Sequence, residues 1–118
     1  MNLRRPLLLF VLVAAIALAG TACGVRKVQR PISAAKVGAE TGWRPMTPIH
    51  VRKGDKLVIL VGNLTTKEHG FSIDAFRVRK TVKPGRHTSV RFTPTRTGHF
   101  TIYCQLHPAH LKTELNVT

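Results

Sequence analysis

The chain is poor in cysteine, and Cys23 and Cys104 are its only two thiols. Cys23 follows an N-terminal segment with the features of an export signal, so Cys104 is the only protein thiol expected in the folded part. If Cys23 is lipidated or lost, an intrachain disulfide is excluded. A lone cysteine in an oxidising compartment is a liability unless something occupies it, and a metal ion is one such occupant.

The chain also lacks a hydrophobic run long enough to span a bilayer comfortably. Its longest apolar run, Leu7–Ala19, has 13 residues, whereas a membrane-spanning helix needs about 20. The run follows Arg4 and Arg5 and precedes the small residues Gly20-Thr21-Ala22, as in a signal peptide. We therefore predict a signal peptide over residues 1–22.

The residue directly after this segment is Cys23, which favours a bacterial lipoprotein whose cysteine is lipidated after cleavage. Ordinary cleavage after Ala22 is the alternative, because Gly20 stands where lipoprotein signals usually have Leu, Val or Ile. The Arg4-Arg5 pair leaves twin-arginine export open as a further route. The protein is expected to be exported, either periplasmic or anchored to the membrane through Cys23.

Acidic residues are scarce: 5 against 19 basic residues, for a formal net charge of +14. Without residues 1–22, which contain two arginines, 17 basic and 5 acidic residues remain, a net charge of +12. Predicted export and the lack of a recognition motif argue against nucleic acid as a partner. The basic surface is expected to face anionic lipid head groups or an acidic protein partner. Because the basic residues are spread along the chain, charge that serves solubility is the alternative.

No stretch shows the period of an amphipathic helix, and no internal repeat is visible. Short apolar runs between turns predict an all-β fold, an antiparallel β-sandwich of one domain. Residues 23–48 are rich in Gly and Pro and are predicted to be a linker with a first edge strand at Val28–Ile32, followed by the domain at residues 49–118. The strands predicted inside the domain are Leu57–Val61, Gly70–Phe76, His87–Thr93, Gly98–Cys104 and Glu114–Val117.

One thiol and two imidazoles lie three residues apart near the C-terminus, at Cys104, His107 and His110. An earlier histidine, His69, could complete the set. A thiolate with imidazoles is a soft to borderline ligand set, which suits copper or zinc rather than magnesium or calcium. These four residues are the predicted metal ligands.

Strand alternation supports the inclusion of His69. Cys104 shares a strand face with Ile102, and His69 shares a strand face with Phe71, since side chains two residues apart point the same way. Both apolar faces must look into the core. Cys104 and His69 are therefore expected at one end of the sandwich on its inner side, with the two other histidines in the following loop.

Each of these residues also has an ordinary structural interpretation. Cys104 could be a buried structural cysteine, and the loop histidines could be solvated. The remaining histidines lack the geometry of the predicted set and are interpreted as surface residues; they are His50, His87 and His99. Glu68 is interpreted as a solvated charge, with coordination or an outer hydrogen bond left open.

The combination of His69-Gly70-Phe71 upstream with Cys104-x-x-His107 downstream, on a chain of short strands, resembles the cupredoxin family. The resemblance implies a Greek-key β-sandwich and one copper ion (Cu²⁺/Cu⁺) per chain, held by the first histidine and the Cys–His loop. Family members with a short loop have a weak methionine ligand three residues after the second histidine. Here that position is His110, and Met1 and Met46 lie far away in sequence.

Within the family, the stretches Gly70–Phe76, Phe100–Pro108 and Leu115–Val117 look very like those of the nitrosocyanin-type red copper proteins, and the resemblance covers about residues 50–118. Those proteins have a glutamate where this chain has His69, and a longer loop before the last histidine. The resemblance, with these departures, implies a Cys-His₃ site. That group forms homo-oligomers, so a homo-oligomer is an open expectation here.

The expected function is single-electron transfer, with the basic surface docking an acidic redox protein partner. Two alternatives stay open. One is a redox enzyme acting on a nitrogen oxide or oxygen, and the other is a copper storage or delivery protein. Zinc is the competing metal, because Cys-His₃ also suits a closed tetrahedral zinc site.

Overall fold

A computed structural model describes residues 24–118; the predicted signal peptide and Cys23 lie outside the described residues. Over this range the chain forms nine strands and one short 3₁₀ turn at Asp74–Phe76. The strands are β1 Lys27–Val37, β2 Glu40–Arg44, β3 Ile49–Val51, β4 Lys56–Asn63, β5 His69–Ile73, β6 Val78–Val82, β7 His87–Phe92, β8 Gly98–Ile102 and β9 Thr113–Val117. The all-β prediction is confirmed. Within residues 24–118, no helix has the length and apolar character needed to cross a membrane.

The strands form two layers around one core. The first layer is a four-stranded sheet in the order β2-β1-β4-β7. The second is the sheet β3-β9-β8, continued by the pair β5-β6 through a bridge between Ser72 and Tyr103. Two pairings, β1 with β4 and β3 with β9, are parallel. The sandwich is therefore mixed rather than purely antiparallel as the sequence predicted.

The N-terminal stretch that the sequence predicts to be a linker belongs to the sandwich. β1 lies between β2 and β4, so it is an interior strand and not an edge. Its side chains Val28 and Ile32 are buried, as is Trp43 of β2. The sequence predicts only a short edge strand within a linker because Pro31 and the glycines of this stretch weaken the strand signal. One of these glycines, Gly38, has φ +66° and makes the turn between β1 and β2.

Alternating apolar residues explain how the core holds the strand that carries His69. In β4, Leu57, Ile59 and Val61 are all at most 1% exposed, as expected for one face of a strand. Trp43 meets Phe71 of β5 edge to face, with ring centroids 5.2 Å apart. This contact joins the two layers and holds β5 in place at Phe71, two residues after His69.

Candidate metal centre

All four predicted ligands lie at one end of the sandwich. His69 is the first residue of β5, and Cys104 comes two residues after the end of β8. The two strand ends are joined by the Ser72–Tyr103 bridge, in which the Ser72 N–H donates to the Tyr103 carbonyl (2.9 Å) and the Tyr103 N–H to the Ser72 carbonyl (3.1 Å). This pairing sets Cys104 beside His69, as the alternation predicted.

The loop between Cys104 and β9 brings the other two imidazoles to the same place. The His107 N–H donates to the Cys104 carbonyl (3.2 Å), and the His110 N–H donates to the His107 carbonyl (3.0 Å). Each bond spans three residues, so the chain makes two successive tight turns. A spacing of three residues per turn places all three side chains on one side of the loop.

The donor atoms lie close enough together to surround one metal ion. Cys104 Sγ is 3.5 Å from His107 Nδ1 and 3.8 Å from His69 Nδ1. The donor atoms of all four residues lie within 4.8 Å of one another. Around a single ion with metal–nitrogen and metal–sulfur bonds of about 2.0 and 2.3 Å, neighbouring donors are roughly 3.3–3.8 Å apart. The four residues therefore fit a copper or zinc ion.

Burial keeps the imidazoles of His69 and His110 in the form that binds metal. His69 and Cys104 are each 3% exposed, and His107 and His110 are half-buried. Burial, with smaller effects from His110 and His107, lowers the pKa of His69 from 6.5 to about 4. Burial also lowers the pKa of His110, helped by His107 and by the charges of Lys36 and Lys67. Neutral imidazoles at pH 7 have the free lone pair that a metal needs.

A chain of hydrogen bonds behind His69 favours a proton on the ring nitrogen that faces away from the thiol. The Thr65 hydroxyl is within donating distance of Asn63 Oδ1 (2.8 Å) and the Lys67 carbonyl (3.0 Å), both of them acceptors. With its single hydrogen directed to one of these oxygens, Thr65 Oγ1 accepts a hydrogen bond from His69 Nε2, which lies 2.7 Å away. Nδ1 is then left without a proton and faces Cys104 Sγ. This is the arrangement in which an outer partner orients a metal-binding histidine.

Asn63 anchors this chain in the core. It is 1% exposed, and its Nδ2 donates to the carbonyls of Lys67 (2.7 Å) and Val82 (2.8 Å), which fixes Oδ1 toward Thr65. This role could not be predicted from the sequence, because an asparagine and a threonine after an apolar strand are equally typical of an ordinary turn.

The thiol has a partner of its own in Gly70. The Gly70 N–H donates to Cys104 Sγ at 3.1 Å and holds the sulfur beside β5. Gly70 also lies against Gln105, whose side chain bonds to the Ser72 hydroxyl (2.7 Å) and the Lys80 carbonyl (2.8 Å). The residue before Gly70 and the residue before Gln105 are both predicted ligands, so this contact holds the two ligand-bearing segments together.

The residues interpreted as surface positions lie outside the group of four. His50, His87, His99 and Glu68 are all exposed. His99 bonds instead to the Asn116 side chain at 2.8 Å. Among the described residues, the group of four is the cluster of histidine, cysteine and carboxylate side chains that could hold a metal.

The lowered pKa of His69 predicts that the stability of the metal-free protein depends on pH. Unfolded histidine titrates near 6.5, and folded His69 near 4, so the folded state binds fewer protons in this window. The stabilising contribution is complete above pH 6.5 and is lost as the pH falls through about 4. We expect the free energy of unfolding to fall by up to about 3 kcal/mol between pH 7 and pH 4, measured by urea titration of metal-free protein.

His69→Gln is the control for this dependence. It removes the titrating ring while its amide can still bond to Thr65, so most of the dependence between pH 6.5 and 4 should disappear. Hydrogen bonds from Arg26 lower the pKa of Asp55, so that carboxylate affects stability only at lower pH. An unchanged slope in His69→Gln would contradict the assignment.

Comparisons with known proteins agree with this fold. The chain matches the model of the cupredoxin-like domain family over residues 8–117. No curated protein matches the sequence.

Several solved structures of copper proteins share the fold. They include the copper nitrite reductase from Nitrosomonas europaea (18% identity, 78% of this chain and 41% of that chain, TM-score 0.67) and a multi-copper oxidase from Pseudomonas thermotolerans (18%, 80% and 30%, TM-score 0.68). A third is the metal-binding domain of the Cu(I)-exporting P-type ATPase CopA from Streptococcus pneumoniae D39 (18%, 80% and 96%, TM-score 0.66).

The chain spans less than half the length of the two enzymes and nearly the whole of the CopA domain. At this level of identity, the likeness shows the fold alone. The family match covers almost all of the sequence and includes all four grouped residues. The chain therefore belongs to the cupredoxin-like domain family.

Proposed function

We propose that the chain is an exported copper protein that holds one copper ion through His69, Cys104, His107 and His110 and transfers single electrons. The observation that supports this most is the convergence of one thiol and three imidazoles within 4.8 Å at a half-buried end of the sandwich. A bound copper ion supplies a one-electron Cu²⁺/Cu⁺ couple. Copper is favoured over zinc because the affinity order of divalent ions peaks at copper.

The residues around the ligands suit electron transfer because they hold the ligands before an electron arrives. Thr65 holds the His69 ring, Gly70 donates to the thiol, and two turn bonds fix the loop. Ligands held in this way change position little between the two redox states. A small rearrangement lowers the barrier to electron transfer.

The fourth ligand determines the kind of copper centre. In a blue site three strong ligands form a near-trigonal plane with a weak axial methionine. His110 instead offers an imidazole, a stronger donor that favours a tetragonal arrangement and weakens the copper–thiolate bond. Together with the resemblance to nitrosocyanin-type proteins, this supports a red or green centre with a lower reduction potential than a blue one.

The proposed partner is an acidic redox protein, and the proposed location is the periplasm or the outer face of the cell membrane, with Cys23 as the lipid anchor. The exposed cations Lys36 and Lys67 lie beside the centre and would meet an acidic surface there. Charge complementarity of this kind raises the rate of association and is weakened by salt. Storage or delivery of copper is less well supported, because the chain has few methionine and cysteine residues for exchangeable sites.

A redox enzyme is the second candidate, and one observation favours it. A cleft of about 250 Å³ opens over His69, His107 and His110. A small molecule could approach the centre through this cleft if His110 were displaced. Four protein ligands argue against an open position, which is why electron transfer remains the first candidate.

The test is to replace His110 by methionine in copper-loaded protein. With a thioether in place of the imidazole, the thiolate-to-copper absorption should move to longer wavelength and the reduction potential should rise. Absorption spectra and protein-film voltammetry measure both. His99→Met, at an exposed position outside the group, is the matched control and should change neither.

An identical spectrum and potential in wild type and His110→Met would show that His110 does not bind the copper. The absence of a reversible one-electron wave in the wild type would instead exclude the electron-transfer function.

A further inference from the structure

The cleft over the metal centre is lined by basic and hydroxyl-bearing side chains. Its walls carry two lysines, Lys36 and Lys67, and three threonines, Thr41, Thr65 and Thr66. Its floor is formed by the imidazoles of His69, His107 and His110. Among residues 24–118, no carboxylate lines it.

Both lysines are available to a ligand. Lys36 and Lys67 are exposed, and neither forms an ion pair in the described part of the chain. Lys36 comes from β1 and Lys67 from the segment before β5, and both line the same cleft as the His110 imidazole. Two cations that line one cleft from different parts of the chain focus positive potential on the space between them.

Hydrogen-bond donors accompany this charge. Thr41 and Thr66 bring hydroxyl groups to the lining, and these can donate to a ligand's oxygen or nitrogen atoms. The Thr65 hydroxyl is already engaged by Asn63 and His69 and serves the centre instead. Cations and hydroxyl donors without a carboxylate suit an anion and disfavour a cation.

The cleft has room for a small anion. Its volume of about 250 Å³ holds a small ion together with several waters, each of which takes about 30 Å³ in the liquid.

We propose that this cleft binds a small inorganic anion, of the size and charge of nitrite, next to the metal centre. The anion lies between the ammonium groups of Lys36 and Lys67 and accepts hydrogen bonds from the hydroxyls of Thr41 and Thr66. It reaches the centre on the side of His110, where a bound anion is placed to act as a substrate of the enzyme candidate or to tune the centre. The metal-related part of this inference rests on the proposed function, but the anion site consists of side chains alone.

The test uses sodium nitrite at pH 7.5 and constant ionic strength, with sodium perchlorate as the balancing salt. Amide NMR of the metal-free protein should show saturable shifts confined to residues near positions 36, 41 and 65–67. In copper-loaded protein, the same titration should perturb the thiolate-to-copper absorption over the same concentration range.

Two matched double variants distinguish a specific anion site from a general effect of the protein's positive charge. Lys36→Gln with Lys67→Gln should weaken nitrite binding about tenfold. Lys27→Gln with Lys53→Gln removes the same charge near the start of β1 and the turn before β4, at the opposite end of the sandwich, and should change it less than twofold.

Non-saturable shifts, or an equal loss in both double variants, would overturn the anion site. A normal copper–thiolate spectrum, with no saturable nitrite shifts in the metal-free protein, would overturn the anion site and leave the proposed function standing. Saturable nitrite binding to metal-free protein that never forms a copper–thiolate spectrum would support the anion site and overturn the proposed function.

Discussion

Replacing Cys104 by serine is expected to abolish the thiolate-to-copper absorption. Copper affinity should fall as well, by more than the roughly 10–100-fold that is typical when a ligand loses its outer hydrogen-bond partner. The reason is that Cys104 supplies the only thiolate of the group and lies next to two of its imidazoles, at 3.5 and 3.8 Å. A serine hydroxyl is a poor ligand for copper at neutral pH. Absorption spectra and competition with a chelator of known affinity measure both effects.

The fold should survive this substitution. The site is buried, yet a serine hydroxyl there can accept the Gly70 N–H and donate to an imidazole Nδ1, so no buried polar group is left unpaired. We expect the metal-free variant to lose less than about 2 kcal/mol of stability. His99→Ala, which removes an exposed imidazole, is the control and should leave copper affinity unchanged. Retention of the absorption band in Cys104→Ser would contradict thiolate coordination.

The substitution Gly70→Ala is expected to have the second large effect, on stability and on the centre together. An added methyl group would overlap the side chain of Gln105, and its nearest approach is too short for any real contact. Gln105 cannot move freely, because it bonds to Ser72 and to the Lys80 carbonyl. Overpacking and the loss of two hydrogen bonds together cost about 2–4 kcal/mol. Because Gln105 follows Cys104, the copper absorption should shift as well.

A double variant tests whether the contact with Gln105 is the cause. Truncating Gln105 to alanine in the Gly70→Ala background removes the overlap, so stability should be regained relative to Gly70→Ala alone. Gln105→Ala by itself should cost only its hydrogen bonds, about 1–2 kcal/mol. If the double variant is as unstable as the sum of both single variants, the overlap does not explain the loss. Chemical denaturation of the four proteins gives the complete cycle.

The sequence could predict those parts of the molecule in which neighbouring residues carry the information. Cys104, His107 and His110 lie within one short loop, so their spacing alone brings them together. His69 was found from strand alternation, which works because the faces of β5 and β8 both bury apolar residues.

Other features depend on residues that are distant in sequence. The sequence predicts only an edge strand at Val28–Ile32 within a linker, because Pro31 and the nearby glycines weaken the local strand signal. Only the pairing of β1 with both β2 and β4 shows that it is an interior strand. The parallel pairings have no local signal at all. The contact of Gly70 with Gln105 joins segments 35 residues apart. Lys36 and Lys67, which line the same cleft, are also distant from each other in sequence.

The most direct test of the central claim is the combined absorption and electron paramagnetic resonance spectrum of the folded domain, with Cys23 replaced and loaded with Cu(II). A tetragonal Cys-His₃ centre predicts a thiolate-to-copper band at clearly shorter wavelength than in blue sites, together with a large copper hyperfine splitting. An intense blue band with a narrow splitting would contradict strong coordination by His110. The absence of any thiolate-to-copper band would contradict copper binding at Cys104 altogether.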